Sequence, residues 1–327
     1  MARPLSRSLL VLPDDSAKPL IGAINSAKQS IRVKVFAFSD PTMLRALVDA
    51  GNRGVHTRVI LNADRPGRDD RNKAVAKKLR DGGIEVLDGN PEFSVTHEKS
   101  LVVDQTAAFI QSFNWEPENF NETRDFGVLT RDAAEVREIG DCFEADWKRQ
   151  TFKPPQNSSL IWCPGDGRQR LAFFIDHAQE SLVVQNERFQ DPVIIERIVR
   201  ARTRGVKVHV LTRPAHSLTV EKLAEGVSGL QIMHDVGIKI RKIKRLKLHS
   251  KMLLADGARA IIGSINISAG SFDKRRELAI ELTDIELVER LKAVAHKDWK
   301  NSSPLDVSDE GIAADLERHH KGGRGSP

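Results

Sequence analysis

Lys247-Leu248-His249-Ser250-Lys251-Met252-Leu253-Leu254-Ala255-Asp256, followed by Gly263-Ser264-Ile265-Asn266, concentrates the reactive side chains of this chain. His249 and Lys251 stand two apart in an apolar run, so on a strand they share one face. Ser264 and Asn266 repeat that spacing on the next apolar run. An imidazole, an ammonium, a hydroxyl and an amide aimed at one place suit the anionic oxygens of a phosphate. The competing reading is a half-buried hairpin whose polar side faces solvent.

The set occurs twice. His97, Lys99, Asp104, Ser112 and Asn114 each recur 152 residues later as His249, Lys251, Asp256, Ser264 and Asn266. Arg124-Asp125 returns as Arg276-Glu277, and Asp146-Trp147-Lys148 as Asp298-Trp299-Lys300. Upstream, Asp40-Pro41 and Arg53-Gly54-Val55 return as Asp191-Pro192 and Arg204-Gly205-Val206, at an offset of 151. A period this long marks a duplicated domain.

His-x-Lys-x4-Asp-x6-Gly-Ser-x-Asn, present twice, resembles the phospholipase D superfamily of phosphodiesterases and transphosphatidylases, including cardiolipin-synthase-like members. The resemblance runs from about residue 10 to about residue 303, with one departure: Gln111 stands where the pattern has glycine. It implies two tandem α/β/α sandwich domains with mixed sheets, related by a pseudo-two-fold axis in one pseudo-dimeric monomer. It also implies phosphodiester exchange with one histidine from each half. One imidazole attacks phosphorus and the other protonates the leaving oxygen, giving a phosphohistidine that water or an alcohol opens. The family's usual assignment makes His97 the nucleophile and His249 the acid; the sequence itself leaves that order open. Lys99, Lys251, Asn114 and Asn266 would hold the non-bridging oxygens. Ser112 and Ser264 would contact phosphate or position the loop. A nucleophilic imidazole needs its far nitrogen held by a carboxylate. By resemblance Glu277 serves His97 and Asp125 serves His249, while Asp104 and Asp256 support the strand–loop geometry.

The 327 residues suit two domains of ordinary size. A net charge of +6 favours anionic partners without naming one. No apolar run approaches the roughly 20 residues of a membrane span. Leu9–Leu12 is too short for a signal-peptide core of roughly 7–15 residues, so cytoplasmic residence is expected, with peripheral membrane contact left open. Cys142 and Cys163 form no metal spacing or disulfide framework, and Cys142 reads as a buried thiol. No cofactor and no metal are expected, since His-Glu-x-x-His and Cys-x-x-Cys are missing and lysine beside each histidine repels a cation. His319-His320 reads as solvated polar sequence and Gly165-Asp166-Gly167 as a turn.

The basic run holding Lys239, Arg241, Lys244 and Lys247 leads directly into His249. It fits either a solvated sheet edge or the gathering of an anionic substrate. Phospholipid at a membrane surface is the favoured substrate. Nucleic acid is the alternative, although aromatics are 5% of residues and tyrosine is absent, leaving few stacking platforms. An idle binding protein is the third reading, opposed by the complete second motif.

Strands and helices alternate in both halves, which argues for α/β sandwiches. In the first, helices are expected over 14–29, after Asp40-Pro41, over 70–80 and over 133–148, with strands at 31–38, 57–61, 84–87 and 126–130. In the second, strands are expected at 182–185, 206–211 and 238–243, with helices after Asp191-Pro192, over 219–225 and over 285–300. Domain boundaries fall at 1–153 and 160–305, about a linker with Pro154-Pro155. The polar stretch 306–327 reads as a mobile tail.

Overall fold

The computed structural model describes residues 6–62, 70–214, 216 and 220–322, the side chains of 220–225 and 319–322 excepted. These residues form two compact units that the chain enters more than once. The first holds the chain up to Asp166 together with Ile262–Ile265 and Gly270–Glu281; the second holds Gly167–Ile261, Asn266–Ala269 and the chain from Leu282.

In the first unit, strand β2 (Ser30–Val35) shows how sequence dictates the layers. Ile31, Val33 and Val35 join an apolar cluster with Leu20 and Ile24 of α1 (Lys18–Ser26), Met43 and Leu47 of α2 (Pro41–Asn52) and Leu79 of α3 (Arg71–Asp81). Arg32 and Lys34 occupy the opposite face, where Glu144 and Asp146 of α5 (Ala133–Trp147) receive them at 2.7 and 2.6 Å. Alternation of period two therefore places helices on both sides of one sheet. Its order is β1 (Arg7–Leu12), β8 (Thr123–Thr130), β7 (Ala107–Gln111), β6 (Ser100–Val103), β2, β3 (His56–Leu61), β4 (Glu85–Leu87). The β2–β3–β4 pairs are parallel and the others antiparallel, so the sheet is mixed. Asp40 caps α2 by accepting from Thr42 N and Met43 N, and Pro41 supplies the first helical residue.

The second unit repeats this plan in the order β17 (Ser302–Pro304), β12 (Lys239–Ile243), β11 (Lys207–Leu211), β10 (Ser181–Gln185), β14 (Met252–Ala255), β15 (Arg259–Gly263). Its helices are α6 (Gly167–Asp176), α7 (Pro192–Thr203), α8 (Val220–Asp235) and α10 (Ile285–Lys300). Mixed α/β architecture in two tandem repeats is thus the fold. The expected start of α8, Thr219, lies outside the described residues, as do the side chains of His319 and His320.

The expected tail from Asp306 is corrected. It continues from β17 into helix α11 (Asp309–Gly322), and the buried Asp315 accepts from His216 N at 3.0 Å and contacts His216 Nδ1 at 2.8 Å. Val307, 4% exposed, adds an apolar anchor. A polar composition with one buried face still folds when a neighbour offers that face a surface.

Two aspartates at equivalent turns carry the left-handed backbone, Asp104 at φ 50° and Asp256 at φ 56°. Asp104 accepts from the backbone N–H of Lys28, Gln29 and Ser30 at 2.8–2.9 Å; Asp256 does the same for Gln179, Glu180 and Ser181. Burial alone would raise both carboxyls, and the three donors outweigh it and hold them low.

The motif strands need one glycine where they cross closely. An added Cβ at Gly263 would stand 2.3 Å from Leu278 O and 2.4 Å from Ala279 Cα, inside van der Waals contact. In the first half Gln111 pairs with Gly127, the repeat counterpart of Ala279. The first half thus has its glycine on the facing strand, where an added Cβ would stand 3.1 Å from the Phe113 ring. We expect Gly263→Ala to destabilise by about 1–3 kcal/mol or to block folding, read from urea denaturation, whereas Gly54→Ala, with open space around it and only a left-handed φ to strain, should cost about 1 kcal/mol.

Candidate active site

Strand β16 (Arg275–Leu282) builds the first cluster. It runs parallel to β5 (Val95–Thr96) and antiparallel to β9 (Leu160–Cys163). His97 N and Glu98 N both donate to Arg276 O at 2.8 Å. That register sets Glu277 beside the motif histidine: His97 Nδ1 lies 2.8 Å from Glu277 Oε2, with the carboxylate fully buried. Burial pushes the Glu277 carboxyl above its ordinary range, against the pull of the Lys99 ammonium and the Ser264 hydroxyl. Lys99 Nζ donates to His97 O at 2.6 Å and sits 5.1 Å from the Phe36 ring centre, and the same ring meets the His97 imidazole edge-on at 4.7 Å.

The serines hold strands together. Ser112 Oγ accepts from Phe126 N at 2.9 Å and donates to Asp125 Oδ1 at 2.5 Å; Ser264 Oγ accepts from Leu278 N at 3.0 Å. Asp125 also accepts from Thr123 Oγ1 at 2.6 Å. Asp125 belongs to the first unit and His249 to the second. Gln111 keeps its amide inside the fold, accepting from Trp115 Nε1 at 2.8 Å.

In the second unit Lys251 donates to His249 O and pairs with Glu187 Oε1 at 3.0 Å. Glu187 is 10% exposed; burial would raise its carboxyl, and Lys251, His249, Arg188 and Arg213 together hold it well below the ordinary range. Its repeat counterpart is Phe36, so one motif lysine rests on a ring and the other on a carboxylate. Asn114 Oδ1 and both amide atoms of Asn266 are buried with no partner among the described residues. An unmet buried amide costs about 1–3 kcal/mol, and a site that binds oxygens is a place to keep one.

Among the described residues one group has the composition of a metal site: Glu98, Cys142 and Asp146, with ligand atoms within 4.8 Å of one another. The Lys34 ammonium sits among them, 2.9 Å from Glu98, 3.2 Å from Cys142 Sγ and 2.6 Å from Asp146. Burial would discharge Lys34, but Asp146, Cys142 and Glu98 more than compensate and hold it charged; burial pushes the Cys142 thiol up. Arg276 adds a two-point contact to Asp146 at 3.0 and 3.1 Å. The second half replaces this charged set with a smaller polar one, Gln185 accepting from Ser250 at 3.0 Å and donating to Asp298 at 3.2 Å.

The basic run divides. Lys244 and Lys247 line a cavity of about 570 Å³ with Arg213 and Lys242. Arg241 instead donates to Ser302 and stacks over Trp299, and Lys239 stands exposed near His209. Sequence reading missed Lys34, Glu187 and Arg213. Their signal is the reverse of repetition: positions 34 and 36 differ in charge from their mates 185 and 187.

The family described as cardiolipin synthase, phospholipase D-like domain, matches residues 20–147 and 171–299, one match per repeat. The chain belongs to this phospholipase D family. Cardiolipin synthase A of Buchnera aphidicola subsp. Schizaphis graminum is 25% identical over 345 residues, covering 91% of this chain and 70% of that protein. Cardiolipin synthase of Geobacillus sp. strain WCH70 is 26% identical over 296 residues, covering 80% of this chain and 58% of that protein. The chain therefore spans little more than half to about two thirds of such relatives. The crystal structure of phosphatidylserine synthase from Haemophilus influenzae Rd KW20 has the same fold, with a TM-score of 0.73 at 12% identity over 98% of this chain and 94% of that one. No described helix is long and apolar enough to cross a membrane.

Two stability outcomes follow from the buried charges. Lys34→Met should cost about 3–5 kcal/mol by stranding Glu98 and Asp146, whereas Lys34→Gln combined with Glu98→Ser, the second half's solution, should recover most of that in urea titrations. Glu277 has a raised folded pKa, so its stabilising contribution is complete below the ordinary carboxyl pKa and is lost as pH rises through the folded value. Glu277→Gln should therefore melt higher than the parent at pH 8, with the difference vanishing below pH ~4.

Proposed function

We propose that the chain is a phosphatidyl-transferring phosphodiesterase acting on phospholipids through a covalent phosphohistidine. The observation that carries the reading is the imidazole–carboxylate pair of His97 and Glu277 at 2.8 Å beside Lys99. Glu277 holds Nδ1, so attack on phosphorus falls to Nε2. The P–O bond to the leaving alcohol breaks as the phosphorus–nitrogen bond forms, and His249 gives its proton to the leaving oxygen. In the return step His249 takes the proton of the incoming hydroxyl, whose oxygen displaces Nε2 and restores the free imidazole. Lys99 and Lys251 offer positive charge to the non-bridging oxygens, and the unmet Nδ2 of Asn266 offers a donor.

Phospholipid is supported by family membership and by the names of the relatives. A membrane surface is then where the substrate is met, with the chain attached peripherally. The basic run would suit a nucleic-acid backbone as well, so the assay decides between them. Phosphatidylglycerol vesicles and single- and double-stranded DNA are offered separately in EDTA. Head-group release or transfer is expected from vesicles alone, with His97→Ala and His249→Ala each reducing it by about 10²–10⁴. Phosphorus-labelled substrate should leave label on the His249→Ala protein and none on His97→Ala. Near-normal turnover in either variant sinks the two-histidine mechanism, and cleavage of DNA alone makes the chain a nuclease.

A further inference from the structure

The cavity beside the second motif has no task in the chemistry above. Thr212, Arg213, Lys242, Lys244, Lys247 and Ser303 supply its polar lining, and Pro214, Ile243, Leu246 and Leu248 its apolar one. Four cations and two hydroxyls meet there, and none of the described residues lining it is a carboxylate. His216 also lines it, and the nearby Asp315 is engaged by that ring and by His216 N. Lys244 is exposed and has no acidic partner among the described residues. Arg213 already has Glu187 at 3.3 Å and Lys242 lies near Asp315, so an entering anion adds to what these acids offset, and the apolar lining strengthens each contact by excluding water.

Its position relates it to the reacting centre. Lys247 and Leu248 form β13 and immediately precede His249. Two residues of extended chain span about 7 Å. Arg213 and Lys251 share one carboxylate, at 3.3 Å and 3.0 Å from Glu187. An anion seated in the cavity draws on Arg213 and so acts, through Glu187, on the motif lysine.

We propose that this cavity is a second phosphate subsite, one that receives the phosphate carried by the acceptor alcohol rather than the phosphate undergoing exchange. A guanidinium with two hydroxyls and three ammonium groups matches a phosphate's several oxygens. The short distance along the chain to His249 suits an acceptor whose hydroxyl and phosphate are separated by a short carbon bridge. The inference rests on the transferase reading for its choice of acceptor, and the binding itself can be measured without it.

The test uses Lys242→Gln/Lys244→Gln, with the single Lys244→Gln as the variant that disturbs no ion pair. Turnover is compared for glycerol, for glycerol 3-phosphate and for phosphatidylglycerol in vesicles as acceptors. The preference for phosphate-bearing acceptors over glycerol should fall at least tenfold in the double variant and part-way in the single one. A fall with phosphatidylglycerol alone identifies a lipid head group as the occupant; a fall with both identifies the phosphate wherever it is carried. An unchanged preference overturns the proposal, as does a loss confined to DNA binding. Independently of any turnover, inorganic phosphate titrated by calorimetry should bind the intact chain at two sites and the double variant at one. A single site in both removes the subsite even if the enzyme transfers head groups, and two sites against one supports it even if the chain transfers none.

Discussion

A carboxylate taken out of water must be met by charge or by donors, and this constraint shapes the interior around both motifs. Glu277 is met by an imidazole at one of its oxygens, Glu187 by Lys251 and Arg213, and Asp146 by Lys34 and Arg276. Each solution fixes a side chain whose direction matters to chemistry. Glu277 orients the His97 ring, while Lys34 anchors Glu98, the residue between His97 and Lys99. The cost of desolvation is thereby turned into position. Burial holds the Glu277 carboxyl above its ordinary range, so the compensation is incomplete there.

The scaffold is repeated faithfully where it serves geometry alone. Asp104 and Asp256 grip three successive N–H groups in the same way, and aspartates open α2 and α7. Symmetry breaks where charge is involved. Lys34 corresponds to Gln185 in the other repeat, Glu98 to Ser250 and Phe36 to Glu187. The two histidines therefore sit in different electrical settings, and the proposed mechanism uses that difference to set the attacking imidazole apart from the proton-moving one.

The period of 152 residues made both motifs and most elements readable, because apolar alternation and the Asp-Pro helix starts follow local rules. Bounds were expected within a few residues for β3, α3 and α5. What escaped was decided by tertiary neighbours. Glu187 has no matching acid in the first repeat, so a search for repetition passes over it. Lys34 is a lysine in an apolar strand, ordinarily an exposed residue, and only α5 supplies its acids. Residues 309–322 are polar enough to read as tail, yet Asp315 and Val307 find partners on the body. Gln111 departs from the motif, and only the fold shows its amide oxygen accepting from Trp115 Nε1.

Gln111 also bears on how the two repeats can go on changing. Gln111 pairs with Gly127, whereas Gly263 lies against Ala279 so closely that a Cβ there would strike it. A genetic exchange between the copies with its breakpoint inside this hairpin would yield glutamine against alanine in one product and glycine against glycine in the other. Glutamine against Ala279 would be overfilled, so homogenisation between the halves is disfavoured inside this hairpin, and the copies are free to specialise on either side of a shared frame.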